Sequence, residues 1–107
     1  MAGFVKVARI DDVPAGQGRL VQVGDRFIAL FNCDGTIYAI DDSCTHAEGS
    51  LSDGFLEGRE VECPLHGARF DLRTGAATWS PAFVPVATYA ARVEGDHALI
   101  DPEPRKE

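Results

Sequence analysis

Two short segments each place one cysteine beside one histidine: Cys44-Thr45-His46 and Cys63-Pro64-Leu65-His66, with sixteen residues between them. A thiolate carries negative charge onto a soft metal, whereas an imidazole binds neutral. The order Cys-His then Cys-His excludes the zinc finger in which two cysteines precede two histidines. Two mixed pairs match a [2Fe–2S] centre in which one iron takes two Cys and the other two His. A zinc site of another topology satisfies the same four side chains. A catalytic Cys/His pair would explain one segment and leave the other idle.

The remaining sequence bounds the setting. A chain of 107 residues suits one domain spanning 1–107, with one modest core and little room for a separate catalytic unit. No apolar window of about 18 residues suggests a membrane span. Met1 to Lys6 lack the basic head and apolar stretch of a signal peptide, so a cytoplasmic location is expected. The formal net charge is −7. The charges of two ferric ions, two sulfides and two thiolates cancel, so an oxidised cluster leaves that value unchanged. Such a chain is not expected to bind nucleic acid or an anionic membrane, and it suits a basic docking patch on another protein. Simple solubility is the plainer reading of the same charge. With Cys44 and Cys63 claimed by the motif, Cys33 is left as a free thiol in the turn Asn32-Cys33-Asp34-Gly35.

Hydrophobic patterning predicts an all-β chain. Phe4–Ala8, Leu20–Val23, Arg26–Phe31 and Thr36–Ile40 read as four short strands in a meander, with turns at Gly24-Asp25 and Asp34-Gly35. No sustained period of 3.6 is present, and a single helical turn is expected at most near Asp11-Asp12-Val13. Between Ser43 and about Ala76 glycines become dense and apolar runs shorten. Phe55-Leu56 and Arg59–Glu62 read as short strands there. Val84–Val93 and Ala98–Ile100 return to strand character, His97 reads as a turn residue, and Asp101–Glu107 is expected to fray.

The spacing C-x-H-x16-C-x2-H, followed by Gly67, Phe70-Asp71 and Thr74-Gly75, resembles the Rieske iron–sulfur proteins. More narrowly, the chain is similar to the small Rieske ferredoxins of bacterial aromatic-ring dioxygenase systems. The resemblance implies the Rieske fold: an antiparallel β-sandwich or barrel base with an inserted cluster-binding subdomain at about 43–76. It implies one [2Fe–2S] cluster, with Cys44 and Cys63 on the inner iron and His46 and His66 on the outer one. It implies one-electron transfer from a flavin-containing NAD(P)H-dependent ferredoxin reductase to a terminal oxygenase in aromatic hydrocarbon catabolism. The protein would be a carrier, expected as a monomer, and not an enzyme. Alternatives are an accessory subunit such as a nitrite-reductase-like small subunit, or a structural metal or redox-sensing module.

Departures from the high-potential members carry information. Those proteins bridge their ligand loops with a further cysteine pair, where this chain has Gly49 and Leu65. They also direct Ser and Tyr hydroxyls at the cluster, where this chain has Ala68 and Phe70. Lacking those donors, the reduced state is less favoured, which points to the low end of a range of roughly −150 to +300 mV. Pro81-Ala82-Phe83-Val84-Pro85 resembles the segment that covers the cluster from a third side, or is an ordinary proline-restricted loop. Trp79 reads as a core or rim residue. Only three histidines are present, so a 2-His-1-carboxylate iron site cannot be built without removing a cluster ligand. Asp41, Asp42, Glu48, Asp53, Glu57, Glu60 and Glu62 form a candidate acidic rim for docking, with solvated loop charge as the plainer reading.

Overall fold

The structure is a computed structural model that describes residues 3–43, 49–64, 67–79 and 84–105. Those residues form eleven strands in three antiparallel sheets, with two single turns of 3-10 helix at Ile10–Asp12 and Leu51–Asp53. The first sheet pairs β1 (Val5–Arg9), β11 (His97–Ile100) and β10 (Ala91–Glu94) in the order β1-β11-β10. The second runs β2 (Gly18–Val23), β3 (Arg26–Cys33), β4 (Thr36–Asp41) and β9 (Thr88–Tyr89). The third runs β5 (Phe55–Glu57), β6 (Glu60–Glu62), β7 (Arg69–Asp71) and β8 (Ala77–Trp79).

Strand β3 shows why these sheets stack. Its centre, Phe27-Ile28-Ala29-Leu30-Phe31, is a continuous apolar run, and Ile28 to Phe31 are all fully buried. Successive side chains of a strand point to opposite faces. Ile28 and Leu30 pack with Ala98 and Ile100 of the first sheet, while Ala29 and Phe31 pack with Val61 and Phe70 of the third. The second sheet is therefore the shared wall of two cores, and an apolar run without alternation is what a strand buried on both faces needs. Truncating Phe31 to Ala would cost about 3–5 kcal/mol.

Tight turns follow the sequence closely. Gly24-Asp25, Gly58-Arg59 and Gly95-Asp96 each close a two-residue hairpin with the glycine first, at φ 60, 62 and 58. Asp34-Gly35 carries positive φ at both positions, 53 and 91, as a type I′ turn requires. The amide of Gly35 also donates to Asn32 Oδ1 at 2.9 Å.

Four expectations are corrected. Strand β1 does not continue the meander into β2; it pairs with β11 from Val5↔Ile100 to Arg9↔His97. Residues 84–87 are not a strand, because their backbone groups bond elsewhere: Val86 N donates to Gly75 O at 2.9 Å, and Ala87 O accepts from Asp41 N at 2.9 Å. His97 opens strand β11 opposite Glu94. The tail is held rather than frayed as far as Arg105, whose amide donates to Thr88 O at 2.8 Å.

Candidate metal centre

Of the four proposed ligands, Cys63 lies within the described residues; Cys44, His46 and His66 lie outside them. Cys63 follows β6 directly and is fully buried, in the same apolar cluster as Phe31, Val61, Ala68, Phe70 and Leu72. It forms no disulfide. A fully buried thiol walled by apolar side chains suits the inner iron of a mixed-ligand cluster, where water is excluded and the soft ligand is shielded.

The second ligand loop is closed by its own backbone. Cys63 N donates to Ala68 O at 2.7 Å, and Gly67 N donates to Cys63 O at 3.2 Å. The closing residue Gly67 sits at φ 78, a left-handed conformation that favours glycine. On the outer face of the third sheet, one row of paired residues runs Phe55↔Glu62↔Arg69↔Trp79. Glu62 and Arg69 flank the loop on either side, and Arg69 Nη2 donates to Glu62 Oε1 at 3.1 Å. The same guanidinium lies 2.8 Å from Glu57 and 3.8 Å from Glu60, and 4.9 Å above the ring of Trp79. Desolvation works to lower the Arg69 pKa, but the bonds and charges of Glu62 and Glu57 outweigh it and push the pKa up.

The first ligand loop is closed at its two ends. Ser43 and Ser50 form an isolated antiparallel bridge, and Leu51 N donates to Asp42 O at 2.7 Å. The Asp42 carboxylate, buried at the end of β4, accepts from Ser50 Oγ at 2.6 Å and from Ser52 N at 2.8 Å. One residue earlier, Asp41 Oδ1 accepts a short bond from the Tyr89 hydroxyl, which in turn accepts from Arg26 Nη1 at 3.2 Å. Burial first, then the bond to and charge of Asp41, push the Tyr89 phenol up to about 12, against a smaller opposing pull from Arg26.

The acidic rim is thus smaller than its sequence suggests. Asp42 is buried, Asp41 is engaged with Tyr89, and Glu57, Glu60 and Glu62 share one arginine. Asp53 and Glu57 remain exposed, and Glu48 lies outside the described residues. Ala68 and Phe70 are fully buried in the core of the loop, so they pack and offer no hydroxyl. Trp79 is a rim residue, 58% exposed. The Pro81–Phe83 stretch lies outside the described residues, while Val86, just beyond it, is buried against the third sheet's core.

Cys33 ends β3 as a half-buried free thiol, its sulfur 3.6 Å from Gly58 O. Burial, then the charge of Asp34, raise its pKa, with Arg59 opposing. A raised pKa disfavours the reactive thiolate. Asp42 is the acid that sequence reasoning misplaced, on an exposed rim where the structure buries it, because an acid in an acidic stretch carries no local signal of burial.

Comparison with known proteins agrees with this geometry. The family model of the Rieske [2Fe–2S] domain matches residues 3–90. The ferredoxin component of the naphthalene 1,2-dioxygenase/salicylate 5-hydroxylase systems of Ralstonia sp is 43% identical over 100 residues, covering 94% of this chain and 96% of that one. The solved ferredoxin of carbazole 1,9a-dioxygenase from Nocardioides aromaticivorans IC177 superposes with a TM-score of 0.90 at 36% identity, covering 95% of this chain and 100% of that one. A structure of reduced oxygenase with oxidized ferredoxin in carbazole 1,9a-dioxygenase contains a chain matching with a TM-score of 0.89 at 34% identity, with 97% of each chain covered. The family match over residues 3–90, on a fold that superposes on a solved dioxygenase ferredoxin, makes this chain a member of the Rieske [2Fe–2S] domain family.

Proposed function

We propose that this protein is the ferredoxin component of an aromatic-ring dioxygenase system, a one-electron carrier and not itself a catalyst. The observation that carries this reading is length: relatives named as ferredoxin components match it over nearly their whole chains, as the Ralstonia protein does over 96%. When bound, a Rieske cluster supplies reversible one-electron chemistry. Cys44 and Cys63 hold the inner iron as thiolates; His46 and His66 hold the outer one as imidazoles. The burial of Cys63 supports the inner assignment.

The expected partners are a flavin-containing NAD(P)H-dependent reductase as donor and a terminal oxygenase as acceptor. The match to a ferredoxin chain solved together with an oxygenase supports the second. The cluster and its fold make up a unit spanning 1–107, with the ligand-bearing part near 43–76, working as a monomer in the cytoplasm. Three carboxylates around Arg69 leave two negative charges in excess beside the second loop. That excess, within a chain of net charge −7, suits a basic docking patch on each redox partner.

Reconstitution tests the reading. Candidate reductases and oxygenases are combined with the holoprotein while NADH-dependent product formation is followed. Product that depends on this protein is expected. Undiminished turnover without it contradicts the reading. Stopped-flow association should slow as salt rises from 0.01 to 0.1 M, where the Debye length shrinks from about 30 to about 10 Å. Charge reversal at Glu48 or Glu62 should slow it more than reversal at Glu103. Equal losses would reduce the acidic rim to a solubilising surface.

A further inference from the structure

We propose that Asp42 is a positioning residue for the cluster: its carboxylate ties the two ends of the first ligand loop together and so fixes where Cys44 and His46 are presented. The inference rests on the ligand assignment above and goes beyond it.

Asp42 is a charged side chain only 7% exposed. Burying such a group is costly unless its oxygens are bonded, and both are. Oδ2 accepts from Ser50 Oγ at 2.6 Å and Oδ1 from Ser52 N at 2.8 Å. Among the described residues no cation pairs with it, and both carboxylate bonds reach across the loop to its far end. Its backbone joins the same clamp: Asp42 N donates to Phe27 O at 3.0 Å, and Asp42 O accepts from Leu51 N at 2.7 Å. The near end of the loop is thereby fixed to β3.

The far end is fixed independently. Leu51 is fully buried. Gly18 of β2 packs so closely on the turn that a Cβ there would lie 2.6 Å from Ser52 O and 2.7 Å from the Phe31 ring. Residues 51–53 therefore cannot slide over β2, and Ser52 N is held where the Asp42 carboxylate reaches it. Cys44 follows Asp42 by two residues in the sequence and His46 by four. A shift of the clamp passes to Cys44 through two peptide units and to His46 through four. Groups that orient metal ligands from behind typically change metal affinity by about 10- to 100-fold when removed.

The test uses holoprotein variants. Asn at this position keeps an acceptor for Ser52 N and offers an amide donor to the Ser50 hydroxyl; Ala keeps neither. Loss of visible absorbance under excess chelator is timed, and electron paramagnetic resonance of the reduced cluster is recorded alongside. Asp42→Ala should lose its cluster about tenfold faster or more, with broadened resonance lines, and Asp42→Asn should restore the wild-type rate and spectrum. Ser50→Ala, which removes the hydroxyl's bonds to Asp42 Oδ2 at 2.6 Å and to Ser52 Oγ at 2.9 Å but leaves the Ser52 N bond to Asp42, should fall between them and serves if Asp42→Ala does not fold. Ile28→Val, in the other core, controls for lost stability and should leave rate and lines unchanged. Wild-type behaviour in Asp42→Ala or, where that variant does not fold, in Ser50→Ala, failure of Asn to rescue, or equal acceleration in Ile28→Val overturns the proposal. A wild-type protein that takes up no iron and sulfide overturns the ligand assignment instead.

Discussion

The two loops proposed to present the cluster ligands are closed by opposite chemistry. The first is tied by a buried carboxylate to a serine hydroxyl and a backbone amide, against the rigid wall of the second sheet. The second is closed by its own backbone and flanked by a half-exposed ion pair, Glu62 with Arg69, on the smaller sheet. Bonds to a buried carboxylate are shielded from salt, whereas an ion pair at the rim is screened. The contrast separates two tasks: the first loop is held by the base of the molecule, and the second sits beside a charged surface open to a partner.

The largest effect tests what both loops share. Cys44→Ser and Cys63→Ser should each abolish or gravely impair cluster assembly, read as iron and acid-labile sulfide content and visible absorbance, because the inner iron loses a soft ligand. Full retention in both variants removes the ligand assignment. The two should differ in the apo state: a hydroxyl without a partner in the apolar surroundings of Cys63 costs about 1–3 kcal/mol, measurable as a lower urea midpoint for apo Cys63→Ser than for apo wild type.

A second effect belongs to the first loop's side. The Tyr89 phenol, bonded to Asp41, is raised from its ordinary value of 10.0 to about 12. A raised folded-state pKa contributes stability that is fully present below pH 10 and is lost as pH climbs through about 12. Each unit is worth about 1.4 kcal/mol, so roughly 2–3 kcal/mol should fade over that window. Tyr89→Phe should flatten this alkaline loss in urea titrations. An unchanged slope in the variant would mean that Tyr89 does not carry it.

The second loop offers a comparable change in potential. Placing Ser at Ala68 and Tyr at Phe70 should raise the reduction potential, since each added donor favours the more negative, reduced cluster. At about 1–2 kcal/mol per charge-assisted bond, and about 59 mV per tenfold for one electron, that is roughly 40–90 mV for each donor. Voltammetry showing no rise, with both bonds confirmed crystallographically, contradicts the explanation. The smallest effect sharpens the contrast itself. Arg69→Gln leaves Glu57, Glu60 and Glu62 facing one another without a cation. It should lower Tm in a way that added NaCl partly restores, while the Tm loss of Asp42→Ala should be insensitive to salt. Equal salt responses would erase the distinction between the two closures.

Much of this is legible in the amino-acid sequence. The hairpins at Gly24-Asp25 and Asp34-Gly35 follow from local turn chemistry, and Ala68 and Phe70 pack in the core with the buried Cys63. The Cys-His spacing pointed to the metal centre, and the family match across residues 3–90 agrees with it. Long-range relations were not legible. The pairing of β1 with β11 joins residues at opposite ends of the chain, and strand composition does not encode a partner. Residues 84–87 have strand composition yet spend backbone bonds on Gly75 and Asp41. Asp42 is buried and bonded across the loop to Ser50, Leu51 N and Ser52 N, and no local pattern separates it from its exposed acidic neighbours.

Central to all of this is that the two loops meet on one [2Fe–2S] cluster with cysteine on one iron and histidine on the other. Electron spin echo spectroscopy of the chemically reduced holoprotein tests that most directly, because it detects nitrogen nuclei bound to the paramagnetic iron. Mixed ligation predicts couplings from two histidine nitrogens in a protein carrying two irons and two acid-labile sulfides, with the couplings altered in His46 and His66 variants. A reduced cluster without nitrogen coupling, or a colourless, redox-silent protein loaded with zinc, would contradict it.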